Sequence, residues 1–134
     1  ITIAGQPISG NWEMYQLPMS EVPDFTKLGN NNVFKNGSSQ ANRLKDCPVL
    51  YEGTFTLDET GDTFIDMEAW GKGIIFINGH NIGRYWKVGP QQTLYIPGVW
   101  LKKGENKIVI FEQLNETPMT EVKTVKTPIL MNLK

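Results

Sequence analysis

The chain has 134 residues, with 13 Lys and Arg against 14 Asp and Glu and a formal net charge of −1 at pH 7. This length suits one domain with its own core, and the scattered, balanced charges argue against nucleic acid or an anionic membrane as a partner, because both require clustered Lys and Arg. One Cys and one His exclude an internal disulfide and the usual four-ligand zinc sites. We therefore expect a single domain over residues 1–134 with no metal and no cofactor.

The sequence shows neither a membrane span nor a signal peptide. No apolar run approaches the roughly 18 residues of a span, and the opening residues Ile-Thr-Ile-Ala-Gly lack the pattern of an export signal. The chain also begins without Met, so we expect it to be a mature or trimmed piece.

Turn residues divide the chain into short segments. The 13 Gly and 8 Pro interrupt stretches rich in Ile, Val, Phe, Tyr and Trp, which favour pleated sheets. Residues 12–17 are a weak strand candidate, and the polar, turn-rich residues 29–47 predict a long surface loop. No segment predicts a helix longer than a turn or two.

Two strands are predicted after this loop. Residues 51–57 alternate, with Tyr51, Gly53, Phe55 and Leu57 on one face and polar residues on the other. Residues 63–70 continue the alternation after an acidic turn at residues 58–62, and we expect these two strands to pair.

The clearest local signal is a hairpin. Residues 73–77 are apolar throughout, which predicts a strand covered on both faces. Asn78 and Gly79 follow at once, and this dipeptide favours a two-residue turn with positive φ at both positions. Residues 80–85 then form the returning strand.

Alternation along this returning strand orients its side chains. Arg84 and Trp86 are expected to share one face, with Tyr85 on the other. Ile82 joins Arg84 and Trp86 if the strand stays regular.

Further strands are predicted at residues 92–96 and 107–114, separated by a turn at residues 103–106, with a weaker candidate at 129–133. Eight or so short strands favour an all-β fold, a two-sheet β-sandwich with jelly-roll topology. The alternative is an immunoglobulin-type sandwich, whose Cys and Trp hallmark is missing.

Several motifs point to a family. They are WGKGIIFINGHNIGRYW at residues 70–86, GPQQTLYIPG at 89–98 and WLKKGENKI at 100–108, with support from residues 55–58 and 62–67. Together they resemble the C-terminal β-domain of β-galactosidases of glycoside hydrolase family 35, best over residues 49–112. The resemblance implies a galactose-binding-like jelly roll, attached to a catalytic TIM barrel in an enzyme of carbohydrate breakdown.

A catalytic role for the chain alone is not expected. Glycosidases need two carboxyl groups roughly 5 to 9.5 Å apart across the sugar. The family carries them as Glu residues at the ends of barrel strands, and no such segment is recognisable here. Cys47 and His80 show no pattern of a thiol-imidazole pair, and residues 58–62 suit a plain acidic turn better than a calcium loop.

One cluster of aromatic, amide and basic residues is a candidate functional site. Sugars present apolar C–H faces and hydroxyl rims, so a site for them combines an aromatic plane with amide or guanidinium donors. The same residue types also mark contact surfaces between domains, which is the reading we favour. The candidates for sugar binding or interdomain docking are Trp70, Asn78, His80, Arg84, Trp86, Gln91 and Trp100.

Two functional hypotheses follow. The first is a non-catalytic accessory domain that packs on and supports the barrel of a β-galactosidase. The second is a stand-alone carbohydrate-binding module for galactose-type glycans; a structural domain of an unrelated protein is a third possibility. The fold is common to the first two and does not decide between them. The compartment is open, although export or a periplasmic site is favoured for the parent.

Overall fold

The computed structural model describes residues 2–7, 10, 13–16, 18–22, 24, 48–114, 119 and 121–130. Within these ranges no helix has the length and apolarity that crossing a membrane requires. A short 3₁₀ helix spans Gly98–Trp100. The strands are β1 Thr2–Ile3, β2 Gln6–Pro7, β3 Val49–Leu57, β4 Thr63–Asp66, β5 Lys72–Ile77, β6 His80–Trp86, β7 Thr93–Ile96, β8 Gly104–Glu112 and β9 Lys123–Val125.

Two antiparallel sheets form the body of the fold. One has the order β3-β8-β5-β6 and the other the order β7-β4-β9, while β1 and β2 form a separate hairpin. The apolar residues between the two sheets make the core: Ile65, Met67, Trp70, Ile75, Ile77, Tyr85, Leu94, Ile96, Leu101, Ile108 and Ile110. The predicted all-β sandwich is confirmed.

The strongest strand predictions hold in detail. In β3 the predicted inner residues are partly buried and Glu52, Thr54 and Thr56 are exposed. In β5, which lies between β8 and β6, Ile75 and Ile77 join the core, while Phe76 is buried on the opposite face. The prediction that this strand is covered on both faces is therefore confirmed.

The pairing of residues 51–57 with 63–70 is wrong. β3 pairs with β8, whereas β4 lies in the other sheet and pairs with β7 and β9. The turn between them crosses from one sheet to the other, where the Asp62 carboxylate accepts a hydrogen bond from the Gly98 N–H at 2.8 Å. β4 also ends early, because the Asp66 carboxylate accepts a bond from the Glu68 N–H and folds the chain into a turn.

Of the weaker candidates near the ends, residues 13–16 are described and form no strand, so that prediction is wrong. In the candidate at residues 129–133, Leu130 makes a single bridge to Gln91, and residues 131–133 lie outside the described residues. The short strands β1, β2 and β9 were not predicted, since segments of two or three residues carry no periodic signal. The loop predicted at residues 29–47 lies outside the described residues, as do Trp12 and Cys47.

The hairpin turn is confirmed. Asn78 and Gly79 have φ values of 49° and 90°, and Ile77 pairs directly with His80. The Asn78 side chain donates to the Trp100 carbonyl and to Asn106 Oδ1, both at 2.8 Å. The turn is therefore hydrogen-bonded to the 3₁₀ helix and to the first residues of β8, in addition to closing its own hairpin.

The returning strand is not regular. Ile75 pairs with Gly83 but Phe76 pairs with Asn81, so Ile82 is an extra residue in a β-bulge. Gly83 has a φ of 131°, which favours glycine at this position. The bulge turns Ile82 toward the core, and its predicted place beside Arg84 and Trp86 is wrong.

Candidate sugar-contact and docking sites

The structure distributes the predicted site residues over three places. Arg84, Trp86 and Gln91 line one groove, Asn78, His80 and Trp100 meet at the end of the hairpin, and Trp70 lies in the core. The groove and the hairpin end are accessible, whereas Trp70 is only 4% exposed. A ring buried to this degree offers no surface for a sugar or another domain.

The groove lies at the β6 edge of the four-stranded sheet. It has a volume of about 580 Å³, which is within the usual range for ligand sites. Arg84 and Trp86 project to the solvent side while Tyr85 is buried, so the predicted orientation of these three residues is confirmed. The Trp86 side chain is 48% exposed, and the Lys72 ammonium lies 5.1 Å from the centroid of its ring.

The hairpin end is a stack supported by hydrogen bonds. The rings of His80 and Trp100 lie nearly parallel, with centroids 4.8 Å apart and an interplanar angle of 9°. Asn78 fixes Trp100 through its carbonyl and also accepts from the Lys107 N–H at 2.9 Å. Through these contacts Asn78, His80 and Trp100 join the β5–β6 turn to the 3₁₀ helix.

Trp70 stabilises the core through aromatic contacts. Its ring meets Tyr51 and Tyr85 edge to face, with centroid distances of 5.3 and 6.4 Å. A cleft of about 280 Å³ opens beside it, lined in part by Asp66, Glu68, Glu121 and Lys123.

A buried carboxylate, Glu112, is absent from the residues that the sequence pattern predicts as a site. Glu112 ends β8 and is 2% exposed, yet its oxygens accept bonds from the backbone N–H groups of Gly71, Lys72 and Leu114 at 2.9 to 3.0 Å. The Tyr85 hydroxyl donates a fourth bond at 3.1 Å. The signal was present in the alternation of β8, because Glu112 falls on the same face as the core residues Ile108 and Ile110.

This cradle explains the Gly-Lys-Gly sequence at residues 71–73. A Cβ at Gly71 would lie 2.9 Å from a Glu112 oxygen, and a Cβ at Gly73 would lie 2.6 Å from the Tyr85 hydroxyl. Burial, together with the nearby Glu112 charge, raises the pKa of Tyr85 well above its ordinary value, so its hydroxyl remains a donor. The glycines therefore bring the start of β5 close to the buried carboxylate.

A second exposed surface lies on the outer side of the three-stranded sheet. Phe64 pairs with Tyr95 on one side and Val125 on the other, and the rings of Phe64 and Tyr95 are 5.5 Å apart. Tyr95 is 46% exposed, and Val99 in the following 3₁₀ helix is 89% exposed. We call Phe64, Tyr95, Val99 and Val125 the apolar face.

One polar contact orders the rim of the apolar face. The Gly98 N–H and then the Tyr95 hydroxyl lower the pKa of Asp62, and the same contact with Asp62 raises the pKa of Tyr95. Tyr95 is thereby held by its hydroxyl while its ring stays exposed.

The residues that the structure describes show no grouping typical of a metal site. Across the described ranges, no three His, Cys, Asp or Glu side chains are grouped as a metal site would require. The two members of the Cys47 and His80 pair cannot be compared, because Cys47 lies outside those ranges.

Comparison with known proteins agrees with the architecture. Residues 48–106 match the family model described as the β-galactosidase galactose-binding domain. Residues 48–106 belong to that family. The match overlaps the segment 49–112 that carries the motifs, and it contains the hairpin, the apolar side chains of β4 and β7, and most of the groove.

Curated relatives extend the similarity beyond the galactose-binding domain. β-Galactosidase 1 of Dictyostelium discoideum is 38% identical over 129 residues, which cover 94% of this chain but 18% of that protein. β-Galactosidase-1-like protein 2 of Homo sapiens is 47% identical over 72 residues, or 53% of this chain and 11% of that protein. β-Galactosidase 8 of Oryza sativa is 37% identical over 142 residues, with 88% and 21% covered. The chain thus spans about a fifth or less of these relatives.

Proposed function

We propose that the chain is a non-catalytic accessory domain of a β-galactosidase, which packs on and supports the catalytic barrel. The observation that carries the proposal is the combination of a galactose-binding-domain match at residues 48–106 with coverage of 18% of a relative named β-galactosidase 1. A segment this small, in an enzyme of that size, acts beside the catalytic domain.

The apolar face supports this role. Tyr95, on the outer side of the three-stranded sheet, is 46% exposed, and Val99, four residues further along the chain, is 89% exposed. An aromatic row of this kind is typical of a contact surface, in which Tyr is enriched. The occupant we propose is the remainder of the parent polypeptide, which has to lie against some face of this domain.

The isolated chain is expected to show no turnover of an aryl β-galactoside. The reason is that glycoside hydrolysis requires a pair of carboxyl groups held across the sugar, and no segment carrying such a pair is recognisable in the sequence. Activity that survives purification and disappears when one Glu of this chain is replaced would overturn the proposal.

Packing on the barrel predicts an effect of Val99→Lys and Tyr95→Ser in the complete protein. Val99 is 89% exposed, so Val99→Lys should leave the thermal midpoint of the isolated chain unchanged, whereas Tyr95→Ser loses the contacts with Phe64 and Asp62 and should lower it slightly. In the complete protein each substitution should lower the midpoint by about 2 °C or more beyond its effect on the isolated chain, because a charged or polar group then enters a desolvated contact. Scanning fluorimetry of both forms measures the difference.

The control for this comparison is Thr56→Lys. Thr56 is exposed on β3, in the other sheet, and pairs with Glu105. It should change neither form. Equal effects of all three substitutions in the complete protein would contradict docking through the apolar face.

A second candidate function, a carbohydrate-binding module, is favoured by the groove alone. Its half-exposed Trp86 stands beside the guanidinium of Arg84 and the amide of Gln91, which is the combination that sugar recognition uses. The groove and the apolar face lie on different sheets, so both functions are compatible in one domain.

A further inference from the structure

The charged residues that line the groove are all positive. Its lining residues include Lys72 and Arg84 but no Asp or Glu. Among the described residues, neither of these two cations has a carboxylate within ion-pair distance. The chain as a whole is close to neutral, so the positive charge of the groove is a local feature and does not follow from composition.

Sheet register places the two cations together. Lys72 lies directly opposite Trp86 and Ile74 directly opposite Arg84, so Lys72 and Arg84 are diagonal neighbours on one face. The Cα atoms of such neighbours are about 7–8 Å apart across the two strands, and both side chains are long enough to reach a group between them. Two like charges at this spacing repel, and an anion between them would relieve the repulsion.

Trp86 is already engaged on one side by Lys72, whose ammonium is attracted to the ring. This contact uses the charge of Lys72 but leaves its N–H donors to bind an acceptor. An anionic group beside the ring would therefore meet a cation that is held in place by Trp86. A neutral sugar would lack this charge interaction with Lys72.

The rest of the groove suits hydroxyl groups. Gln91 donates from Nε2 to the Thr93 carbonyl at 3.0 Å, which fixes the amide at the groove. Gln113 also lines the groove, and the volume of about 580 Å³ accommodates one or two sugar rings. The groove thus combines an aromatic plane, amides and two cations.

We propose that this groove binds an acidic sugar, a hexopyranose carrying a carboxylate or sulfate group, with the anion between Lys72 and Arg84 and the ring against Trp86. The inference deepens the second candidate function by naming the ligand class. It is independent of packing through the apolar face, whose test uses the complete protein.

The experiment is calorimetric titration of the 134-residue chain with galacturonic acid, galactose 6-sulfate, galactose and inorganic sulfate. We expect one or both acidic sugars to bind with a Kd of about 1 mM or tighter, and galactose at least about tenfold more weakly. The carboxylate and sulfate arms identify which anion is preferred. Binding should weaken as salt is raised, because the contributing charges are exposed.

Variants locate the binding in the groove. Arg84→Glu and Lys72→Ala should each weaken the acidic sugar by about tenfold or more, and Trp86→Ala should weaken acidic sugars while leaving inorganic sulfate unaffected. Lys103→Ala, an exposed cation in the turn before β8, is the control and should bind normally. Far-UV circular dichroism verifies that each variant is folded.

Any one of three results would overturn the proposal. They are galactose binding as tightly as the acidic sugars, inorganic sulfate competing as strongly as galactose 6-sulfate, and no saturable binding of either acidic sugar.

Discussion

Replacing Gly73 with Ala is expected to lower the free energy of unfolding by about 3 kcal/mol or more. Gly73 is buried at the start of β5, where a Cβ would overlap the backbone carbonyl of Phe111 and lie 2.6 Å from the Tyr85 hydroxyl. A backbone group cannot turn aside as a flexible side chain does, so β5 and β8 would have to separate. Urea unfolding of the chain, followed by Trp fluorescence, measures the loss.

Gly61→Ala is the matched control for this substitution. A Cβ at Gly61 meets nothing within 4 Å, so the free energy of unfolding should change by less than about 0.5 kcal/mol. If Gly73→Ala were equally mild, the close approach of β5 to β8 would be wrong.

Glu112→Gln is expected to cost about 2–3 kcal/mol of the free energy of unfolding, although it keeps the size of the side chain. The carboxylate accepts bonds from three backbone N–H groups and from the Tyr85 hydroxyl. An amide has one oxygen to accept them and turns an NH₂ group toward the remaining donors. Those donors are partly buried, and they are left without an acceptor. The same urea titration measures the effect.

Two further variants separate the buried carboxylate from general effects of charge. Glu105→Gln, exposed near the start of the same strand, should change stability by less than about 0.5 kcal/mol. Tyr85→Phe removes one donor and should cost about 1 kcal/mol. A Glu112→Gln protein as stable as the Glu105→Gln protein would show that the cradle does not contribute.

Local patterns predicted where the strands and turns lie better than they predicted which strands pair with each other. The alternation in β3 and the Asn78-Gly79 turn depend on neighbouring residues, and both are present in the structure. The pairing of β4 depends on contacts distant in sequence, such as the bond between Asp62 and Gly98, 36 residues apart. An acidic turn between two strands has the same local pattern whether it closes a hairpin or crosses between sheets.

For the candidate site, too, features within one strand were predictable and features that depend on packing between elements were not. Arg84 and Trp86 were predictable as neighbours because they lie two apart on one strand, whereas the burial of Trp70 and the stacking of His80 on Trp100 depend on the packing of separate elements. The bulge at Ile82 was also beyond the pattern, since strict alternation assumes a regular strand. Glu112 was overlooked because a charged residue is expected at the surface, although the rhythm of β8 places it inside.

The bulge in β6 has a consequence for how copies of the domain meet one another. Among the strands that the structure describes, β6 is the last of its sheet, and a straight last strand offers its N–H and C=O groups to any passing chain. The extra residue at Ile82 breaks the spacing of those groups, and the charge on Arg84 repels an identical strand laid against it. The bulge and the charge therefore protect this edge against polymerisation, whether or not another segment covers it.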